Sequence, residues 1–156
     1  MILSGRGWGK TRTGAEFIRD RIENGYNGPV HLIGATAADV RDVMIEGESG
    51  LLAVSPPWNM PVYIPSKRRL IWPNGAIGLT FSGERPDRLR GPQCGLLWAD
   101  EIAAWKYQET WDMAMFGWRL KHNGKDPKAI ATTTPRPIPV IKELMTTKGV
   151  VVTKGT

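Results

Sequence analysis

A glycine-rich stretch near the start of the chain constrains the fold more than any other feature. Residues 4–11 read Ser-Gly-Arg-Gly-Trp-Gly-Lys-Thr and follow a short apolar run. They precede a segment in which Ala15, Ile18 and Ile22 recur at helical spacing. A strand that turns through glycines into a helix is the setting of a phosphate-binding loop, where backbone amides and the positive helix end face phosphate oxygens.

This loop predicts ATP and Mg²⁺ as ligands. Lys10 has the length to reach the β- and γ-phosphates, and the Thr11 hydroxyl is a magnesium ligand. The consensus begins with glycine where this chain has Ser4, a mild departure because Gly5 and Gly7 keep the loop flexible. The competing interpretation, a glycine turn that merely precedes a helix, is disfavoured by the intact Gly-Lys-Thr. The predicted phosphate-binding residues are Gly5, Arg6, Gly7, Trp8, Gly9, Lys10 and Thr11.

An acidic pair follows a second apolar run. Residues 95–99 read Gly-Leu-Leu-Trp-Ala and lead directly into Asp100 and Glu101. Ligands of open α/β sheets bind at the carboxyl ends of the strands, where both motifs would meet. We therefore predict that Asp100 holds Mg²⁺ and that Glu101 is the catalytic base for the attacking water. Taken alone, such a pair is also a common helix start.

Two further groups are candidates for catalysis or coupling. Thr132, Thr133 and Thr134 end an apolar run, where one hydroxyl could sense the γ-phosphate and report hydrolysis to a moving element. The alternative is a strand end whose hydroxyls satisfy turn amides. Arg90, in a basic loop before the acidic pair, is the candidate arginine finger. A plain basic surface loop is the competing interpretation, and Arg6 is a second candidate.

The alternation of apolar runs with helical patterns predicts an α/β fold. Several runs are apolar throughout, which is typical of a parallel sheet covered by helices on both faces. Asn74-Gly75 between two further runs predicts a β-hairpin. The length suits one domain, residues 1–156. Strands are predicted at 1–4, 30–35, 62–64, 69–72, 77–82, 95–99, 129–132 and 150–153, and helices at 10–24, 38–45, 104–120 and 140–146.

Composition narrows the partners and the compartment. The net charge of +6 favours polyanions such as nucleic acid, although a solvated basic surface is an equal alternative. A single cysteine, Cys94, excludes an internal disulfide and a cysteine-based zinc site, which fits a reducing cytosol. No apolar run approaches about 18 residues, so we expect no membrane contact. By charge alone, the candidate DNA contacts are Lys67, Arg68, Arg69, Lys121 and Lys125.

Three blocks of the chain resemble the large terminase subunits of tailed phages. Residues 5–16 are similar to the phosphate loop and first helix of that family. Residues 89–92 and 97–101 resemble its second, acidic motif, and residues 131–137 resemble its coupling motif. The order and spacing of the blocks match the family across nearly the whole chain.

The resemblance implies a DNA-packaging motor with a P-loop NTPase fold of the ASCE type. Such a motor hydrolyses Mg-ATP and translocates double-stranded DNA into a capsid in the host bacterial cytoplasm. Its implied partners are the portal protein, the small terminase subunit and further copies of itself in a ring. By the resemblance, Thr132–Thr134 correspond to the coupling motif and Arg90 approximately to a trans-acting arginine.

Two departures from the family lead us to expect a partial ATPase domain, truncated at both ends. The segment that usually precedes the phosphate loop and helps to bind adenine is missing. The acidic cluster of the family's nuclease domain is also missing, so we expect no nuclease domain and no nuclease activity. Two other functions stay open at this point: a helicase-like or recombination-like P-loop ATPase acting on DNA, and an inactive truncated remnant.

Overall fold

The computed structural model describes residues 1–5 and 7–155, and its centre is one eight-stranded sheet. The strand order is β3-β4-β5-β2-β6-β7-β1-β8. Every neighbouring pair from β5 to β8 is parallel, and only the β3–β4 and β4–β5 pairs are antiparallel. The strands are β1 Ile2–Leu3, β2 Pro29–Gly34, β3 Val62–Ile64, β4 Arg69–Ile71, β5 Ile77–Ser82, β6 Leu96–Ala99, β7 Lys128–Thr133 and β8 Thr153–Lys154.

Helices cover both faces of this sheet, because the central strands are apolar on both sides. Leu32 and Trp98 pack on the face that carries α1, whereas the adjacent Ile33 and Leu97 pack on the face that carries α4. The predicted mostly parallel α/β sheet is therefore confirmed. The α-helices are α1 Lys10–Glu23, α2 Ala37–Asp39, α3 Leu51–Val54, α4 Gln108–Gly117 and α5 Pro139–Thr146.

The predicted hairpin joins β4 to β5. The Trp72 amide donates a hydrogen bond to the Ala76 carbonyl at 3.0 Å, and Gly75 adopts a φ of 93°. The Asn74 side chain accepts a hydrogen bond from the Ala76 amide and donates one to the Tyr26 carbonyl, which ties the turn to the end of α1. The Asn-Gly pair thus supplies both the turn and its anchor.

Some element boundaries differ from the prediction. The helix predicted at 104–120 begins only at Gln108, because Ile102–Ala104 form a separate 3-10 turn and Trp105 is extended. The stretch 47–66, predicted as a loop with one strand, also holds α3. The helix predicted at 38–45 is α2 continued by the π-helical Val40–Ile45. Within the described residues, no helix is long and apolar enough to cross a lipid bilayer.

Candidate nucleotide-binding site

The loop between β1 and α1, predicted to bind phosphate, contains two glycines in a left-handed conformation. Gly7 and Gly9 adopt φ angles of 80° and 89°, a left-handed conformation that costs other residues free energy. The Gly9 carbonyl accepts hydrogen bonds from both the amide and the hydroxyl of Thr13, which fixes the start of α1. The prediction for Arg6 lies outside the described residues.

Lys10 connects this loop to the acidic pair. The side chain is buried, and its Nζ donates a hydrogen bond to the Ser4 carbonyl at 2.9 Å. The same Nζ lies 2.6 Å from Glu101 Oε1. The fully buried Ser4, which replaces the first consensus glycine, thus helps to position the lysine through its backbone.

Asp100 and Glu101 leave the end of β6 in different environments. Asp100 is only 5% exposed, and this burial raises the pKa of its carboxyl to about 6, against the opposing effects of the Thr132 hydrogen bond and the Lys10 charge. Glu101 has a φ of 50°, which is unusual for a residue with a side chain. Its carboxylate is about one-third exposed and faces Lys10. The turn at Glu101 separates a buried carboxylate from an accessible one.

The hydroxyls of the three predicted coupling threonines all lie against the acidic pair or the turn that follows it. The Thr132 hydroxyl donates to Asp100 Oδ1 at 2.8 Å and accepts from the Glu101 amide at 3.2 Å. The Thr133 hydroxyl accepts from the Ala103 amide at 3.1 Å. The Thr134 amide and hydroxyl donate to Glu101 Oε2 at 3.3 and 3.4 Å. The end of β7 is therefore linked to the segment after β6 by side chains.

Two adjoining cavities open beside these residues, and both are lined by Thr11 and Glu101. The larger cavity, of about 430 Å³, lies next to the loop before α1, and the smaller, of about 310 Å³, lies next to the end of β6. We call them the loop cavity and the acidic cavity. The loop cavity is lined by Gly7, Gly9, Lys10, Thr11, Arg12, Asp42, Val43, Gly47, Glu48, Ser49 and Glu101. The acidic cavity is lined by Thr11, Ala35, Asp39, Val43, Asp100, Glu101, Ala104, Thr134 and Arg136.

The acidic cavity contains oxygen ligands suited to a Mg²⁺ ion that is also bound by the phosphates of a nucleotide. Thr11 and Asp100 both line it, and hydroxyl and carboxylate oxygens are the ligands that this ion prefers. Among residues 1–5 and 7–155, no group of three or more His, Cys, Asp or Glu side chains could hold a metal alone. Magnesium is usually bound by one or two protein groups together with substrate phosphates, so the pair fits a magnesium–nucleotide.

Arg90, Trp8 and Gly5 were predicted to belong to the site but line neither of these cavities. The Arg90 side chain is 70% exposed, pairs with Glu109 at 3.6 Å and lines neither cavity. The Trp8 indole packs against Gly155, directly after the edge strand β8, and Trp8 lines neither cavity. Gly5 likewise lines neither cavity. The structure therefore brings together Lys10, Thr11, Asp100, Glu101 and Thr134, with Thr132 and Thr133 buried behind them.

Several lining residues were missed from the sequence. Asp42, Glu48 and Ser49 face the phosphate loop across the loop cavity, and no local pattern marks them, because their position depends on how the segment after β2 folds back. Arg136 did carry a signal, since it lies within the block 131–137 that resembles the coupling motif.

A comparison with protein families decides the assignment. Residues 1–150 match the family described as terminase large subunit, T4likevirus-type, N-terminal. The chain belongs to this terminase family. A search of curated proteins gives no significant match.

Solved terminase structures share the fold of this terminase domain. The ATPase domain of the Thermus phage P74-26 large terminase is similar with a TM-score of 0.67 and 16% identity, over 96% of this chain and 65% of that one. The large terminase of another thermophilic bacteriophage gives a TM-score of 0.72 and 13% identity, over 99% and 39% of the two chains. The chain thus spans less than two thirds of the length of either structure.

Proposed function

We propose that this terminase domain binds and hydrolyses Mg-ATP, and that hydrolysis drives double-stranded DNA into a capsid. The observation that carries the proposal is the 2.6 Å contact between Lys10 Nζ and Glu101 Oε1. It joins the phosphate loop to the acidic pair across two separate strands, at the shared wall of the two cavities. A single nucleotide lying along this wall meets both motifs.

Each residue then has a role in phosphoryl transfer to water. The Gly7–Gly9 backbone and Lys10 bind the β- and γ-phosphates, and Thr11 with Asp100 would hold Mg²⁺, which neutralises phosphate charge when bound. Glu101 accepts a proton from the attacking water. The water oxygen bonds to the γ-phosphorus while the bond to the β,γ-bridging oxygen breaks, leaving ADP and phosphate. The partly exposed Glu101 suits a proton acceptor, whereas the buried Asp100 suits a fixed metal contact.

The threonine hydrogen bonds support a coupling role for the end of β7. The Glu101 carboxylate accepts a hydrogen bond from the Thr134 amide, and the Glu101 amide donates one to the Thr132 hydroxyl. A change in what the Glu101 carboxylate binds would therefore alter the contacts that hold residues 132–134. We propose that this displacement passes hydrolysis from the nucleotide to DNA-gripping elements.

The assembly part of the proposal follows from Arg90. Because its side chain is 70% exposed and lines neither cavity of its own chain, it is available to a neighbouring subunit. An arginine supplied in trans stabilises the transition-state charge of phosphoryl transfer. We propose a ring of identical subunits that works with the portal protein and the small terminase subunit in the host bacterial cytoplasm.

Contact with DNA is supported by an arginine cleft. Of the cations predicted from charge, Arg68 lines a cavity of about 490 Å³ together with Arg41, Arg85 and Arg88. Arg41 and Arg85 are paired with Glu46 and Asp87, whereas no ion pair of the described residues includes Arg68 or Arg88. Two guanidinium groups thus remain for phosphates of the DNA backbone.

Glu101→Gln tests the catalytic assignment. The substitution keeps the shape of the side chain but removes the base, so we expect ATP turnover in the presence of DNA to fall about 10²- to 10⁴-fold. Nucleotide binding, measured by calorimetry, should persist. Glu143→Gln on the exposed side of α5 is the matched control, with turnover unaffected. Normal turnover by the Glu101 variant would remove it from the mechanism.

ATP turnover with DNA, together with DNA affinity measured at several salt concentrations, tests the DNA assignment. The double variant Arg68→Ala/Arg88→Ala should weaken the stimulation of turnover by DNA. It should also reduce the slope of log DNA affinity against log salt concentration by roughly 1.8, as expected for the loss of about two phosphate contacts. Lys121→Ala/Lys125→Ala removes the same charge outside the cleft. Equal losses for the two double variants would mean that charge alone, and not the cleft, attracts DNA.

A further inference from the structure

Arg136 is a cation of the acidic cavity to which the catalytic scheme above gives no role. It lines this cavity together with Thr11, Asp100, Glu101 and Thr134. It therefore shares one space with the predicted magnesium contacts and the catalytic base of its own chain. Arg90, the finger predicted from the sequence, does not.

The local backbone holds Arg136 at this position. Thr134 on its amino-terminal side is bonded to Glu101. Pro135 and Pro137 flank the arginine, and proline restricts both its own φ and the conformation of the preceding residue. The Ile138 amide donates to the Arg136 carbonyl at 2.9 Å, one residue before α5 begins. The segment is thus anchored to the acidic pair at one end and to a helix at the other.

The Arg136 guanidinium forms no ion pair with the acidic residues that the structure describes. Asp39, Asp100 and Glu101 all line the same cavity, yet no ion pair within the described part of the chain includes Arg136. Lys10 is the cation that contacts Glu101. An arginine that faces a nucleotide cavity without an ion pair retains its donors for an anionic ligand.

We infer that Arg136 is a catalytic residue that binds the γ-phosphate in cis. With the β-phosphate over the phosphate loop and Mg²⁺ near Thr11 and Asp100, the γ-phosphate lies in the acidic cavity. Arg136 donates hydrogen bonds to its oxygens and stabilises the charge that develops there as the bond to ADP breaks. Arg136 lies two residues after Thr134, which contacts Glu101. A γ-phosphate bound by Arg136 would therefore be connected directly to the coupling segment. This inference rests on the function proposed above.

The test compares two nucleotides that differ only in the γ-phosphate. Affinities for Mg-ADP and for a Mg-bound non-hydrolysable ATP analogue are measured by calorimetry on dilute protein that sedimentation shows to be monomeric. Arg136→Ala should weaken binding of the analogue about 10- to 100-fold, as expected for a lost charge-assisted hydrogen bond, and change ADP affinity less than about twofold. Arg136→Lys should recover part of the loss. Lys142→Ala, which removes an exposed charge from α5, should alter neither affinity.

The outcomes separate this inference from the function on which it rests. Equal losses for both nucleotides, or none, in Arg136→Ala would overturn the γ-phosphate contact while leaving nucleotide binding by wild type intact. If the wild-type protein bound neither nucleotide, the proposed function and this inference would fall together. Selective loss of the analogue in a monomer supports the contact and shows that it acts within one chain.

Discussion

His31 lies in β2, where neither ring nitrogen has a hydrogen-bond partner among the residues that the structure describes. It is 1% exposed and meets the Phe81 ring edge-on, with the centroids 4.8 Å apart. Burial lowers the pKa of this imidazole to about 4. The folded protein therefore holds His31 neutral and without a hydrogen-bond partner, and an unpaired buried polar group costs free energy.

We predict that His31→Leu stabilises the protein by about 1 to 3 kcal/mol at pH 7, because leucine removes the unpaired nitrogens. In the unfolded chain His31 is protonated below its pKa of about 6.5, whereas in the folded chain it is protonated only below about pH 4. The free energy of unfolding of the wild type therefore falls by up to about 3 kcal/mol as the pH is lowered from about 6.5 to about 4. The variant lacks this loss. Urea unfolding at several pH values measures it.

The comparison must be made between the two proteins at each pH. The raised pKa of Asp100 acts in the opposite direction over an overlapping range, since the folded state binds its proton more readily there. Subtracting the wild-type curve removes this contribution. A stability difference that is constant from pH 7 to pH 4 would show that His31 is not held neutral by burial.

Helix α1 approaches strand β6 closely at one point, where Gly14 lies against the Trp98 indole. A Cβ atom at Gly14 would overlap the ring. Trp98 is fully buried, and its indole nitrogen has no hydrogen-bond partner within residues 1–5 and 7–155. The contact matters for the site because α1 carries Lys10 and Thr11, while β6 delivers Asp100 and Glu101.

We predict that Gly14→Ala destabilises the protein by about 1 to 3 kcal/mol, since overpacking here outweighs the gain of up to about 1 kcal/mol in helix propensity. The midpoint of urea unfolding should fall. In a Trp98→Leu background the same change should cost less, because the smaller side chain leaves room for the methyl group. An equal cost in both backgrounds would place the strain elsewhere.

Elements were predictable where local chemistry determines them. The Asn74-Gly75 turn, the glycines of the phosphate loop and the apolar core strands each carry their signal within a few residues. The predicted start of α4 is wrong, because Glu101 turns the chain through a left-handed φ. The 3-10 turn after it includes Ala104, the first residue assigned to the helix, and Trp105 is extended. Neither the strand order nor the approach of residues 47–49 to the phosphate loop could be read locally, since both depend on tertiary packing.

At the scale of the whole molecule, the order of the strands in the sheet brings the residues of the site together. The adjacent strands β6, β7 and β1 are parallel, so their carboxyl ends lie at one edge of the sheet. The acidic pair, the coupling threonines and the phosphate loop follow these three ends, although they are far apart in sequence. Ligand sites of open α/β sheets lie at this edge.

The most direct measurement is a crystal structure of the protein with Mg²⁺ and a non-hydrolysable ATP analogue. We predict one metal ion bound to the Thr11 hydroxyl and to phosphate oxygens at about 2.1 Å, with the Asp100 carboxylate one water molecule away and Lys10 on the phosphates. Glu101 should lie within one water molecule of the γ-phosphorus. A nucleotide bound away from Lys10, or a metal that Thr11 and Asp100 do not share, would contradict the account.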